Sequence, residues 1–443
     1  MQRFRLCPGR RSDAGVAPTL MVLLTAATLL AACGGAPNPP STSSSAASTG
    51  AARTITLWDA SPSPASQSTM PALLARFHAA HPDLTVEYKA IAPATAGAEF
   101  AAAVAHQAGP DVLLADAATT PSLAAQGLLE PLDRTQLVTP GQSDDYLAPA
   151  LASTKLAGRQ WALPQQAAAA GWMCNSDLLR KAGTTVAATW TDVAKQAPTL
   201  QALGVTPMAI TSVGTEALPF VYSAGGAMLD LTNRTVTIND RPAVAGFMTA
   251  VDLENSGAAT KVGTSDEAVH AFIAGQVACI LAGPSVMPTV LAAPAFANPS
   301  ALSIAPVPDG TDQGSSSFGG ANIAVSAASH QTDAALQLVG YLNSTASQTQ
   351  LAATWAGFPA RNSSLREARS AVPSAQQTFV ASFVTVLDNA TGPPIMAQLP
   401  TLYAQLDLQW PKMLGGEQSV SQGADAVAAA WLKVLPADFT DNG

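Results

Sequence analysis

The chain has 443 residues, with 21 Lys and Arg against 30 Asp and Glu and a formal charge of −9. Residues 1–32 carry four Arg and one Asp, so the remainder holds 17 basic and 29 acidic residues, a net of −12. So acidic a body excludes a surface built for nucleic-acid phosphates, which needs clustered Lys and Arg, and about 390 residues are too many for one lobe.

The N-terminus comes first. Arg3, Arg5, Arg10 and Arg11 precede the apolar run Leu20 to Leu30, which is too short to span a bilayer and has the size of a signal-peptide core. Leu30-Ala31-Ala32-Cys33 then gives a branched apolar residue, two small residues and a Cys. That is the pattern of bacterial lipoprotein processing, with cleavage before Cys33 and acylation of its sulfur. The alternative is an ordinary signal peptide with an incidental Cys. Residues 34–52 are almost all Gly, Pro, Ser, Thr and Ala, without an apolar period, and read as a flexible tether. The expectation is a signal peptide over 1–32, a lipid-anchored linker over 33–52, and an ordered body from Arg53. The body would sit outside the cytoplasm at the bacterial cell membrane. The lipid would be its only attachment, because no later segment is apolar enough to cross.

Strand and helix patterns alternate through the first part of the body. Thr54 to Trp58 is β-rich and ends at Asp59; Met70 to Ala80 has helical spacing, with Leu73, Leu74 and Phe77 on one face. Leu84 to Lys89 alternates as a strand, Glu99 to Gln107 fits a helix, and Asp111 to Ala115 is a short buried strand. A helix over Leu123 to Gln126 leads into Gly127. A second series follows Pro164: strand Gly171 to Asn175, helix Ser176 to Ala182, helix Trp190 to Ala197 behind a Thr189 N-cap, and strand Thr206 to Thr211. Thr264-Ser265-Asp266-Glu267 reads as a capping box opening a helix to Ala274, and Val277 to Leu281 is the next strand. After Pro306 to Ser317 the strand Ala321 to Ser326 resumes, and the rest is mainly helical. Repeated strand–helix–strand units imply mostly parallel sheets with helices on both faces. Two such sheets face each other across a cleft, because ligands of open α/β sheets lie beyond the carboxyl ends of the strands.

The chemistry-bearing residues are few. Of four cysteines, Cys7 lies in the signal and Cys33 is the lipid site. Cys174 and Cys279, each in an expected strand, suit a disulfide between neighbouring parallel strands; two buried free thiols are the alternative. His78, His81, His106, His270 and His330 are scattered. Only His78 and His81 share a helix face, with no third ligand nearby, so no metal is expected. No GxSxG elbow, HExxH or P-loop is present, and Asp144-Asp145 reads as a solvated turn. Neither an enzyme activity nor a cofactor is expected.

The aromatics at strand ends and crossovers are the informative ones in a chain with only 5% aromatic residues. Trp58 and Asp59 end the first strand, Gln165 and Gln166 follow the crossover Pro164, and Trp172 opens the second lobe. Tyr222 precedes Gly225-Gly226, and Trp355 lies just before Gly357 and Arg361. Gly319-Gly320 is a plain turn or a place where backbone N–H groups approach a ligand closely. Trp161, Trp190, Trp410 and Trp431 are expected in the core.

A series of short motifs runs through most of the body in order. They are Ile55-Thr56-Leu57-Trp58, Phe77 to Pro82, Pro110-Asp111-Val112, Gly127 to Asp133, Gly158 to Pro164, Met173 to Leu179, Ala271 to Gln276, Leu281 to Ser285, Gly319 to Asn322 and Gly357 to Arg361. The chain thereby resembles the maltose-binding-protein-like group of extracellular solute-binding proteins over residues 53–435. It departs from the group at Cys174, where an aromatic is usual, and at Ser285, where many members carry Trp. The resemblance implies a two-lobed periplasmic-binding α/β fold with an interlobe cleft and crossover hinges. Lobe 1 would hold 53–165 plus 318–355, and lobe 2 would hold 166–317 plus 356–443. It further implies a monomer that captures a small polar ligand by lobe closure and hands it to the membrane subunits of an ABC importer. The ligand is expected to be a sugar, with an amino sugar or a glycerophosphodiester as variants. Ser285 and Asn322 join the expected ligand residues on this ground. A glycerol phosphate or glycerophosphodiester binder is the rival within the class and needs a cation in the cleft, for which Arg361 is the candidate. A secreted glycoside hydrolase is the rival outside it and needs two carboxyls a set distance apart.

Overall fold

A computed structural model describes residues 52–441 except 134, 136 and 138–142. The signal and tether, with Cys7 and Cys33, lie outside the described residues.

Two five-stranded sheets organise the body. The first begins with Arg53–Asp59, flanked by the parallel strands Leu84–Ala90 and Val112–Asp116. Ile55, Leu57, Val112 and Leu114 are buried on one face and Leu113, Ala115 and Ala324 on the other, as expected of a parallel sheet covered on both sides. Gly319–Val325 returns from late in the sequence antiparallel to Val112–Asp116, and Leu163–Ala168 closes the far edge. The second sheet places Ala259–Val262, Thr206–Thr211 and Val277–Ala282 side by side in parallel. Gly171–Asn175 and Leu302–Ala305 follow, each antiparallel to its neighbour.

The local chemistry explains most boundaries. The first helix runs Pro64–Ala80, six residues earlier than its apolar period alone indicates. Ser63 accepts from the Ser66 N–H while Ser66 Oγ accepts from the Ser63 N–H, a full capping box followed by Pro at the first turn. Thr189 caps Trp190–Gln201 as expected. Thr264 caps Ser265–Ile273 by accepting from Glu267 N–H, but the Glu267 carboxylate accepts from Gly263 rather than closing the box on Thr264.

Three crossovers join the lobes. The first is tight: strand Leu163–Ala168 lies wholly in the first sheet and Gly171 starts the second, so the chain passes over at Ala169-Ala170. The second spans the stretch from Ala305 to Gly319, where Ser316 and Phe318 are bonded to Thr391. The third follows helix Thr345–Ala353 and reaches helix Asn362–Ala371. Beyond it, helices Leu399–Leu414 and Val420–Leu432 bury Trp410 and Trp431 in the core of the second lobe, where the indole N–H groups donate to the Thr211 and Leu402 carbonyls. Trp190 is buried in the same core, while Trp161 is half-buried under the Arg159 guanidinium.

Cys174 and Cys279 face each other in register on neighbouring strands and are joined by a disulfide. The strands are antiparallel, not parallel as the sequence reading had them. The Cα atoms lie 4.1 Å apart, and both cysteines are buried in the middle of the second sheet. The bridge closes a loop across 105 residues of sequence, which by loop-closure entropy contributes on the order of 4 kcal/mol.

Candidate functional site between the lobes

The carboxyl ends of the parallel strands in both sheets point toward the crossovers. In the first lobe this edge is made by Asp59, Ala90, Asp116 and Ala168, with Gly319 at the start of the returning strand. In the second it is made by Val262, Thr211 and Ala282, next to Gly171 and Ala305. Ala118, just past the first-lobe strand end at Asp116, packs against the second-lobe core together with Met396 and Tyr403. The lobes therefore meet beside Asp116.

Asp116 is the distinctive group of this edge. It is the solvent-exposed last residue of its strand. One oxygen accepts from the Ala118 N–H at 2.8 Å, and no ion pair among the described residues includes it. Desolvation outweighs that hydrogen bond and holds its carboxyl above the usual range. Across the gap, burial pushes the Tyr403 phenol up, and the nearby Tyr222 and the Asp116 charge push it further. The Tyr222 phenol is raised to about 12 by burial, with Ser317 beside it pulling the other way. The Asp116 charge is thus felt at Tyr403 of the second lobe.

Beside Tyr222, a cavity of about 310 Å³ opens at the second-lobe strand ends. Its wall includes Glu216, Ser265, Ser285, Ser316 and Ser317. Glu216 accepts from the Thr211 hydroxyl at 2.7 Å and from the Ser265 hydroxyl, and has no cationic partner among the described residues. Ser316 is 2% exposed, and its hydroxyl has no partner among the described residues. A wall of hydroxyls and a carboxylate, with tyrosines alongside, can hydrogen-bond a polyhydroxylated molecule and stack on its C–H faces.

Of the residues selected from the sequence, Trp58 lies at this edge and Ser285 on this wall, while Tyr222 is buried in the second-lobe core. Trp58 is half-buried, with the Lys89 ammonium 4.4 Å over its ring. Asp59 is fully buried, and its carboxylate accepts from Tyr88 OH at 2.7 Å and Ser61 N–H at 3.0 Å. It fixes Tyr88 rather than a ligand.

Five other selections are corrected. Trp172 is 1% exposed and packs edge-on against Trp190, so it belongs to the second-lobe core; its indole N–H has no partner among the described residues. Trp355 is buried, stacked on Phe358 and edge-on to Phe383, and donates to Gln376 at 2.8 Å, which leaves little of either face open. Asn322 is buried and bonded to Thr120 and Ser153. Gln165 donates to the Leu342 carbonyl at 2.9 Å and accepts from Asn343. Arg361 donates to Asp145, Tyr146, the Asn343 carbonyl and Asn343 Oδ1, at 2.6 to 3.1 Å. Asp145, read as a solvated turn, is partly buried; despite that burial, the Ser363 and Arg361 hydrogen bonds hold its carboxyl below the usual range. Arg361, Asp145, Asn343 and Gln165 thus support the hinge through bonds to one another and to the backbone.

Gly320 is also a structural requirement. Its φ is +136°, and a Cβ there would lie 2.0 Å from the Gln166 carbonyl oxygen, so the strand can approach its neighbour only with glycine at this point. Gly319 carries no such constraint. The Gln166 side chain rests against Gly357 and its backbone pairs with Pro359, tying the first crossover to the third.

Sequence reasoning missed Asp116, Tyr403, Glu216 and Ser316. Asp116 was within reach of the strand-end rule that selected Asp59, because the buried strand runs one residue past Ala115. Tyr403 lies on a C-terminal helix, where no local signal marks it.

A family model described as bacterial extracellular solute-binding protein matches residues 61–349. That span covers well over half of the chain. The chain belongs to the bacterial extracellular solute-binding proteins. Among solved structures it is similar to the GacH receptor of Streptomyces glaucescens, determined unliganded and in complex with acarbose and an acarbose homolog. The TM-score is 0.82 at 30% identity, over 87% of this chain and 99% of that one. Maltose-bound MalE3 of T. maritima gives a TM-score of 0.76 at 20% identity, over 86% and 100%. UgpB from Mycobacterium tuberculosis, in complex with glycerophosphocholine, gives 0.75 at 20%, over 86% and 98%. No curated protein matches by sequence. The expected two-lobed α/β solute-binding fold is thus the observed one. No helix among the described residues is long and apolar enough to cross a membrane.

Proposed function

We propose that this solute-binding protein captures a sugar or sugar-like solute between its lobes and presents it to the membrane subunits of an ABC importer. It works as a monomer tethered to the cell membrane through acylated Cys33. The observation that carries the ligand class is the makeup of the gap: Asp116 on one side, with Tyr222, Tyr403, Glu216 and the Ser265, Ser285, Ser316 and Ser317 hydroxyls on the other. These groups supply hydrogen-bond acceptors and donors with aromatic rings, the chemistry of carbohydrate recognition. The GacH receptor, the relative at 30% identity, binds a carbohydrate-like ligand, which supports the same reading.

The mechanism is closure. A ligand held only by the first lobe leaves the second-lobe hydroxyls unused. Contacts to both exist only when the lobes come together, so binding shifts the population toward the closed state. The crossovers serve as the pivot, and the saturated network around Arg361 keeps them in place. No step requires bond cleavage.

A glycerophosphodiester reading loses its one nominated cation, since Arg361 is committed to Asp145 and Asn343. Titration calorimetry against neutral oligosaccharides, amino sugars and glycerophosphocholine tests the proposal, with small-angle scattering on the same samples. Carbohydrate binding accompanied by a decrease in radius of gyration is expected. Binding of glycerophosphocholine alone, or binding without compaction, would contradict it.

A further inference from the structure

The cavity of about 310 Å³ at the second-lobe strand ends has a one-sided lining. Its polar side chains are Glu216 and the hydroxyls of Thr215, Ser265, Ser285, Ser316 and Ser317, and no Lys, Arg or His lines it. Glu216 is thus its one charged group, and no ion pair among the described residues includes that carboxylate. One oxygen accepts from the Thr211 hydroxyl at 2.7 Å and the other from the Ser265 hydroxyl, so each keeps a lone pair to offer. Ser316, buried and without a hydroxyl partner among the described residues, lines the same cavity from the second crossover.

The carboxylate is fixed in place. Glu216 lies in the turn Gly214–Ala217, where the Gly214 N–H donates to Asp407 at 2.7 Å. A Cβ at Gly214 would lie 2.5 Å from the Leu406 carbonyl carbon, so this turn sits pressed onto helix Leu399–Leu414. The Ser265 hydroxyl that meets Glu216 belongs to the first residue of helix Ser265–Ile273. A helix N-terminus favours anions, but this one already has Asp266 and Glu267 in its first turn and Glu216 against it. Its positive end is offset before any ligand arrives.

Charge therefore decides what fits. A sugar ring with adjacent hydroxyls can donate to both oxygens of Glu216 and meet Ser316 Oγ, in charge-assisted hydrogen bonds. A carboxylate or phosphate on the same ring would face Glu216 in a cavity without a cation, where closure removes the water that screens like charges.

Resting on the carbohydrate reading above, we propose that Glu216 sets the specificity of this cavity. It accepts from the hydroxyls of an uncharged sugar ring and excludes uronates and sugar phosphates. The exclusion operates through charge, so salt weakens it and neutralising Glu216 removes it.

The test titrates glucose, galactose and mannose, and trimers of each, beside the same sugars with one terminal C6 oxidised to a carboxylate, near neutral pH at low and high salt. Each neutral sugar that binds is expected to bind at least about tenfold tighter than its oxidised form at low salt, with the margin shrinking at high salt. Glu216→Gln offers the Thr211 and Ser265 hydroxyls one acceptor and one donor, so the turn is kept. It is expected to bring the two forms within about threefold at a nearly unchanged melting temperature. Oxidised sugars that match their neutral forms, or a margin that survives in Glu216→Gln, would overturn the proposal and leave carbohydrate capture standing. Binding confined to charged sugars would do the same. Failure of every sugar, neutral and charged, would contradict carbohydrate capture itself.

Discussion

Two polar regions lie side by side in the middle of this molecule, and they differ in saturation. Around the first and third crossovers, Arg361, Asp145, Tyr146, Asn343, Gln165 and Gln348 bond one another and the backbone at Pro164, Leu342 and Ala360. Across the gap, Asp116, Glu216 and Ser316 keep unused capacity. Both regions contain the residue types used to bind sugars. Only the second has anything left to bind with, because a buried polar group that has satisfied its hydrogen bonds gains little by exchanging them. Saturation, rather than residue type, separates scaffold from site.

Variants on the saturated side should damage stability and spare affinity. Trp355→Ala empties the space between Phe358 and Phe383 and is expected to cost about 3–5 kcal/mol of stability, with the affinity of the folded fraction nearly unchanged. Thermal melts paired with titration calorimetry check this; a hundredfold loss of affinity at unchanged melting temperature would return Trp355 to the ligand. Arg361→Ala leaves Asp145 and Asn343 without their donor and should cost about 2–4 kcal/mol. A variant that melts normally but fails to bind would show that Arg361 faces the solute.

On the unsaturated side the signs reverse. Asp116→Asn should lower affinity for the physiological solute roughly tenfold to a hundredfold, while the melting temperature of the unliganded protein stays level or rises. The direction follows from linkage. A carboxyl raised in the folded state costs stability when charged, in full above its folded pKa, and the cost is relieved as the pH falls through that value. The advantage of Asp116→Asn in melting temperature should therefore shrink as the pH is lowered. Asp145 has the opposite sign: its lowered carboxyl contributes stability above the ordinary carboxylate range and loses it as the pH falls through its folded value. Asp145→Asn should accordingly destabilise at neutral pH and become neutral in acid. Identical pH profiles for the two variants would erase the distinction between the regions. The smallest effect expected is that of Ser316→Ala, a loss of about 0.5–1.5 kcal/mol in binding and little in stability.

The sequence made the strands legible, and with them the fold, because short buried runs such as Val112–Asp116 and Gly171–Asn175 have composition and turn signals of their own. Strand ends located the gap, and Trp58 was selected from one of them. Saturation was not legible. Arg361 looks like a free cation until Asp145 arrives from 216 residues away, and Gln165 looks like a sugar-binding amide until Leu342 does, from 177. Trp172 and Trp355 stand at crossovers in sequence, yet their rings turn into cores assembled from distant segments. Tyr403 is the converse case: a helix far down the chain brings it opposite Asp116.

A crystal structure with a bound carbohydrate puts the central claim to its most direct test. The account predicts the solute between the lobes, its hydroxyls on Asp116, Glu216 or Ser316, and Arg361 still bonded to Asp145. A solute seated on Arg361 and Gln165, with Asp116 left in solvent, would contradict it.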